Sequence, residues 1–216
     1  MKTLLLVRHG TTDWVDNNIL HGITDIPLNA NGLRQASEVA VALKNVPAKY
    51  LYSSSLKRSM QTAQAISANV HLDPIPMDDL VEMNFGWLEG KPLIDSHKLE
   101  KSALARFIDR FHFIIVRTIS GESLRHLRRR VLSAWQQILD ENKDEISIVV
   151  AHSAVFNNIL IHHFGKNYPK GTHYYSMRPC SICEIEFNDA GQARLVRMDD
   201  ASHLSEYQEN DQNIVI

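Results

Sequence analysis

Two short, unbroken apolar runs constrain this chain most. Thr3-Leu4-Leu5-Leu6-Val7 and Ile146-Ser147-Ile148-Val149-Val150-Ala151 are bounded by charged or polar residues and are short for helices. Runs of this kind are strands covered on both faces, the pattern of a largely parallel sheet whose crossovers place helices on either side. Both runs end at reactive side chains: the first at Arg8-His9-Gly10, the second at His152. Ligands of open α/β sheets bind beyond the carboxyl ends of the strands, so a site is expected there.

The segments between the runs supply the covering layers. From Gly32, the residues Leu33, Ala36, Ala40 and Leu43 recur at helical spacing until Pro47 stops them. Tyr50-Leu51-Tyr52 reads as a strand. Ser53-Ser54-Ser55 then offers hydroxyl caps to a helix with Leu56, Met60, Ala63 and Ile66 inward and Arg58 in its first turn. Pro74 to Pro92 reads as mostly loop and carries Glu82 and Glu89. Residues 91–120 read as a lid or insert, basic through Lys98, Lys101 and Arg106. Gly121-Glu122-Ser123 leads into a long helix with Leu124, Leu127, Val131, Trp135 and Ile138 on one stripe, while Arg125 and Arg128 to Arg130 fall on a solvated face. Residues 153 to 164 form an apolar helix, Ser181 to Phe187 and about Arg194 to Met198 form strands, and the tail after Glu206 is polar. The expectation is a single α/β domain over 1–216, a three-layer sandwich with a largely parallel central sheet flanked by helices.

Composition narrows the function classes. Apolar residues make up 44% and charged residues 22%, ordinary for a globular chain. With 23 basic against 25 acidic residues the net charge is −2, which gives no overall field for nucleic acid or an anionic membrane, so any anion site must be local. No apolar stretch approaches the roughly 18 residues of a spanning helix. The short run after Lys2 is too brief for a signal peptide, and a cytoplasmic location is expected. Two cysteines fit a reducing compartment. Cys180 and Cys183 form a CxxC without a second pair, and their odd spacing on a strand sends them to opposite faces, so no metal or cofactor is expected there. His162 and His163 point about 100° apart on a helix and are poor co-ligands. Homo-oligomerisation is left open.

Arg8 and His9 share the mouth of one strand with His152 at the mouth of another, and Arg58 sits at a helix start, where the macrodipole favours an anion. Two arginines and two histidines converging on one crevice make a phosphate site. Around them runs an ordered series: Leu5-Leu6-Val7-Arg8-His9-Gly10 with Thr12 and Trp14, Gly22 with Asp25, Pro27 and Leu28, and Gly32 with Gln35 and Ala36. It continues in Ser53-Ser54, Leu56-Lys57-Arg58, Gln61-Thr62-Ala63, Glu82, Phe85-Gly86, Glu89-Gly90, Gly121-Glu122-Ser123, Val150-Ala151-His152 and His203-Leu204. In these motifs the chain resembles the histidine phosphatases, the phosphoglycerate-mutase-like superfamily, over nearly its whole length.

The resemblance implies a phosphoglycerate-mutase-like fold and a histidine acid-type phosphatase, a phosphomonoester hydrolase acting on a small phosphorylated metabolite without metal or cofactor. His9 would be the nucleophile that carries a phosphohistidine. Arg8, Arg58 and His152 would hold the phosphoryl oxygens, Gly22 and Ser153 would contact phosphate, and Glu82 would be the proton donor. Several positions depart from the family pattern. Val15 stands where an asparagine often contacts phosphate, with Asn17 and Asn18 as the nearby candidates to replace it; Thr11 stands where glutamate is frequent. Ser153-Ala154 replaces a usual glycine pair, and Asn157 a commonly basic residue. Trp14 and Trp87 either line the crevice or, for Trp87, pack the loop. Only Lys91 to Ser120 separate Gly90 from Gly121, shorter than the insert usual in mutases of the family, which favours hydrolysis. The alternatives are mutase-type phosphoryl transfer and a catalytically weak, phosphate-binding regulatory member.

Overall fold

In the computed structural model, which describes residues 1–92, 121–142, 145–167 and 174–205, both apolar runs are strands and lie side by side. The described strands are β1 (Lys2–Arg8), β2 (Ala48–Ser54), β3 (Ile75–Met77), β4 (Ile146–Ala151), β5 (Ile182–Phe187) and β6 (Ala193–Asp200), in the order β3-β2-β4-β1-β5-β6. β4 pairs in parallel with both β1 and β2, and β2 in parallel with β3. β5 runs antiparallel to β1 and β6 antiparallel to β5, so the sheet is mixed, with a parallel centre. Helices α1 (Asp13–Asp16), α2 (Ala30–Leu43), α3 (Lys57–Val70), α4 (Leu124–Glu141) and α5 (Ser153–Phe164) complete the described elements, with 3-10 turns at Asp78–Leu80 and Gly86–Leu88.

The alternation of side chains along each central strand divides the core into two layers. Leu4, Leu6, Tyr52, Val149 and Ala151 face Leu127, Val131, Trp135 and Ile138 of α4 and Phe156, Ile159 and Leu160 of α5. Leu5, Val7, Leu51, Ile148 and Val150 face Ala36, Val39, Ala40 and Leu43 of α2 and Ala63 and Ile66 of α3. Cys183 belongs to the first layer and Cys180 to the second, but Cys180 lies in the turn before β5, at φ +55, so it is this turn and not strand alternation that separates them. Each fully buried Leu, Ile or Val contributes on the order of 1.5–3 kcal/mol.

Local deviations from the periodic reading occur where helices turn polar groups inward. In α2, Leu33 is 51% exposed while Gln35 is buried, its Oε1 accepting from Thr11 N–H at 2.8 Å. In α3 the buried residues Arg58, Ser59 and Thr62 precede Ala63 and Ile66, and Met60 is only partly covered. The three serines before α3 do not cap it through their side chains: Leu56 takes the capping position without a side-chain bond, and Ser53 and Ser54 are buried in β2. β3 lies within the stretch read as loop, and Pro76 is accommodated because β3 is an edge strand. Beyond Pro92 the stretch read as a lid lies outside the described residues, Lys98, Lys101 and Arg106 included, as does the tail from Glu206. No helix among the described residues is long and apolar enough to cross a membrane.

Helices α2 and α3 also fix the loop that leaves β1. Gly10 N–H donates to Thr62 Oγ1 at 3.1 Å, and Leu28 N–H to Gln61 Oε1 at 2.8 Å. A Cβ on Gly10 would lie 2.6 Å from the Gly32 carbonyl oxygen, so loop and helix touch backbone to backbone. Replacing Gln35 by Ala leaves the buried Thr11 amide without its acceptor, an expected loss of about 1–3 kcal/mol. Chemical denaturation of the Gln35→Ala variant checks it.

Candidate active site

The carboxyl ends of β1 and β4 bring His9 and His152 together, with ring centroids 4.9 Å apart. The Nδ1 of His9 lies 2.7 Å from the Gly10 carbonyl oxygen. A carbonyl only accepts, so Nδ1 carries the proton. Burial, reinforced by the charges of Arg58 and Arg8, pushes the His9 pKa well below the ordinary imidazole value. A neutral ring protonated at Nδ1 leaves the Nε2 lone pair free, the form a nucleophilic histidine requires.

His152 is shifted the same way, by burial and then by Arg58. Its Nε2 faces the hydroxyls of Ser54 at 2.8 Å and Ser59 at 3.3 Å. Ser54 Oγ also accepts from Leu56 N–H at 3.4 Å. Where Nε2 accepts from these hydroxyls, the ring proton resides on Nδ1, a buried atom with no hydrogen-bond partner among the described residues. The Nε atoms of Arg8 and Arg58 are likewise buried and without a partner among the described residues. Three donors from β1, α3 and the end of β4 are thus available to an oxyanion, and unmatched buried polar groups of this kind mark a ligand site.

Each arginine is anchored through its outer nitrogens. Arg8 Nη1 donates to the Met177 carbonyl at 2.6 Å. Arg58, fully buried, donates from Nη1 to Thr24 O at 2.9 Å and from Nη2 to Gly22 O at 2.6 Å. Burial lowers the Arg58 pKa to about 10, which leaves it cationic at neutral pH. The Gly22–Thr24 turn is held by Glu89: Oε1 accepts from Ile23 N–H at 3.0 Å and Phe85 N–H at 2.9 Å, and Oε2 from the amide and hydroxyl of Thr24. Gly22 has φ +38, and a Cβ there would lie 2.1 Å from Glu89 Oε1, so only glycine fits. Besides lining the site, Gly22 therefore orients Arg58.

A cavity of about 420 Å³ opens at this point, lined by Arg8, His21, Gly22, Glu82 and Ser153 at its polar side and by Trp14, Val15, Ile19, Leu20, Phe85, Ala154 and Tyr174 elsewhere. His9, Arg58 and His152 do not line it and are almost completely buried. Glu82 Oε1 accepts from Met83 N–H at 2.9 Å and Oε2 from Ala154 N–H at 3.4 Å. Burial raises the Glu82 pKa despite the nearby arginines, as a general acid near neutral pH needs.

Of the two asparagines near Val15, Asn18 lines the cavity and Asn17 does not, its amide donating to Asp13 O at 2.7 Å. Trp14 lines the cavity, whereas Trp87 is 51% exposed with the Lys91 ammonium 3.5 Å over its ring. Asn157 Oδ1 accepts from Tyr175 N–H at 3.1 Å, a structural tie. Sequence reasoning passed over His21. Its ring packs edge-on against His9 at 5.9 Å, and burial together with Arg58 lowers its pKa to about 4. The only signal in the sequence was its place beside Gly22. Among the described residues no group of three His, Cys, Asp or Glu side chains is placed to hold a metal ion.

Buried His9 and His152 and partly buried His21, all held neutral, make stability depend on pH. Below 6.5 the unfolded chain takes up protons that folded His9, His21 and His152 refuse, so stability falls as pH falls, down to about 4 for His21. A His21→Asn variant should lose about 1.4 kcal/mol per pH unit of that dependence between these limits. Urea unfolding of both proteins across the range measures it.

Residues 4–201 match the family model described as the histidine phosphatase superfamily (branch 1). An uncharacterized phosphatase PhoE of Bacillus subtilis is 33% identical over 160 residues, which cover 74% of this chain and 76% of that protein. A phosphoglycerate mutase-like protein 4 of Arabidopsis thaliana is 30% identical over 205 residues, 94% of this chain and 87% of that one. Among solved structures, YhfR of Bacillus stearothermophilus superposes with a TM-score of 0.77 at 26% identity, covering 94% of this chain and 99% of that chain.

Proposed function

The chain belongs to the histidine phosphatase superfamily, branch 1, and from that premise we propose that it hydrolyses a phosphomonoester of a small metabolite through a phosphohistidine on His9. The observation that carries this reading is the state of His9: neutral, protonated at Nδ1 against Gly10 O, and beside two guanidinium groups. Its Nε2 attacks phosphorus as the bond to the leaving oxygen breaks, and Glu82 gives that oxygen its proton. Water then attacks the phosphohistidine, Glu82 takes the proton back, and His9 leaves as the neutral ring. Arg8, Arg58 and His152 supply donors to the phosphoryl oxygens throughout, with Gly22 and Ser153 beside them. The apolar part of the cavity wall suits a leaving group with a hydrocarbon face. No metal or cofactor enters the scheme, and the reaction is assigned to the cytoplasm.

The phosphoglycerate mutase-like relative in Arabidopsis motivates a second reading, in which the same phosphohistidine returns its phosphoryl group to the substrate instead of to water. Phosphate release from a panel of phosphorylated metabolites, measured in chelating buffer, separates the two. Release that disappears in His9→Ala is the expected result, with Arg58→Ala slower by about 10–100-fold. Isomerised phosphoglycerate without release would establish the mutase. Neither product would indicate a phosphate-binding regulatory protein.

A further inference from the structure

Behind Glu82 lies an ionic arrangement that the reaction scheme does not use. Arg130, in the second turn of α4, commits all five of its N–H donors. Nε and Nη2 pair with the two oxygens of Glu122, each at 2.7 Å. Nη2 also reaches the Glu82 carbonyl at 2.9 Å, and Nη1 reaches the carbonyls of Val81 at 2.6 Å and Asp79 at 2.9 Å. Glu122 is itself tied to the same stretch, its N–H donating to Asn84 O at 2.8 Å, and His126 approaches its carboxylate at 3.3 Å. Gly121 completes the contact, since a Cβ there would lie 2.3 Å from Asn84 O. The side chains of Arg130 and Glu122 are 11% and 7% exposed, well shielded from the solvent that weakens surface pairs. The solvated face expected for Arg128 to Arg130 is thus interrupted at Arg130.

The backbone from Asp79 to Asn84 lies past the end of β3, outside the sheet ladder. On its side-chain side, the hydrogen bonds of Glu82 among the described residues are those from the amide of its own neighbour Met83 and, at a long 3.4 Å, from Ala154. Leu80 and Met83 anchor the segment in the core on either side, and between them the fork fixes the backbone carbonyls of Val81 and Glu82. Resting on the phosphatase reading above, the geometry points to Arg130, oriented by Glu122, as the positioning residue that holds the proton donor Glu82 against the leaving-group side of the cavity. Lysine cannot replace it, because an ammonium has three donors and no planar fork to span two carboxylate oxygens and three carbonyls.

The test uses the whole chain and a series of aryl phosphates from dinitrophenyl to phenyl, with Arg130→Met, Arg130→Lys, Glu122→Gln and Glu82→Gln variants. A good leaving group needs no acid and a poor one does. In kcat/KM, which reports the phosphorylation of His9 and not the later hydrolysis, Arg130→Met and Arg130→Lys should lose about twofold on dinitrophenyl phosphate and about 10-fold or more on phenyl phosphate, in parallel with Glu82→Gln. Glu122→Gln, which keeps the volume and one acceptor, should fall between them and guards against a variant that fails to fold. The second readout is the titration of Glu82 by carbon NMR of glutamate-labelled protein, which does not require turnover. Release of the segment should expose the partly buried carboxyl more fully to water and move its pKa down toward the ordinary carboxylate value. Equal losses across the series, or an unmoved Glu82 titration in the Arg130 variants, would overturn the proposal. If the wild type shows no His9-dependent hydrolysis, the phosphatase reading fails and the titration alone decides the positioning role.

Discussion

The Arg58 guanidinium, fully buried and bonded to the carbonyls of Gly22 and Thr24, is the group around which the site is organised. Burying a cation is costly unless polar partners surround it, and here the direct partners are carbonyl dipoles. Glu82, Asp25 and Glu89 act on it from further away. The charge is supported without being neutralised, so its field acts on its neighbours. It contributes to keeping His9, His21 and His152 unprotonated, and it opposes the effect of burial on Glu82. The same charge that disfavours protonation of the imidazoles favours an anion beside them.

Three glutamates in this region show how environment assigns roles to one side chain. Glu82 is partly buried, with one close and one long backbone donor, and holds its proton more tightly than usual. Glu89 accepts from the backbone at Ile23, Thr24 and Phe85 and joins two loops. Glu122 receives both arms of a guanidinium fork. In sequence they are indistinguishable as residue types; what differs is the number and kind of donors the fold brings to each carboxylate.

The central strands were legible because their apolar runs admit few alternatives, and the residues at their ends followed from where ligands bind in such sheets. The polar side chains that face inward were harder to read. Gln35 and Leu33 look inverted on a helical wheel until the backbone of Thr11 is known to need an acceptor. Ser59 and Thr62 are buried because they serve His152 and Gly10, partners far along the chain. β3 escaped notice because three residues containing a proline carry almost no periodic signal. Arg130 was hidden in a run of arginines whose other members offered no contrast, and His21 by lying next to a glycine that drew attention to itself.

The strand order has a consequence for how the molecule comes into being. β4, built from residues 146–151, separates β1 from β2 in the sheet, and His152 meets Ser54 across 98 positions of sequence. A nascent chain ending before β4 therefore holds Arg8, His9 and Arg58 but cannot bring β1 and β2 to their native separation. Closing so long a loop is entropically slow. A chain interrupted anywhere in its first two-thirds therefore lacks both His152 and the strand that sets β1 apart from β2, and cannot assemble the constellation whose first three members it already encodes.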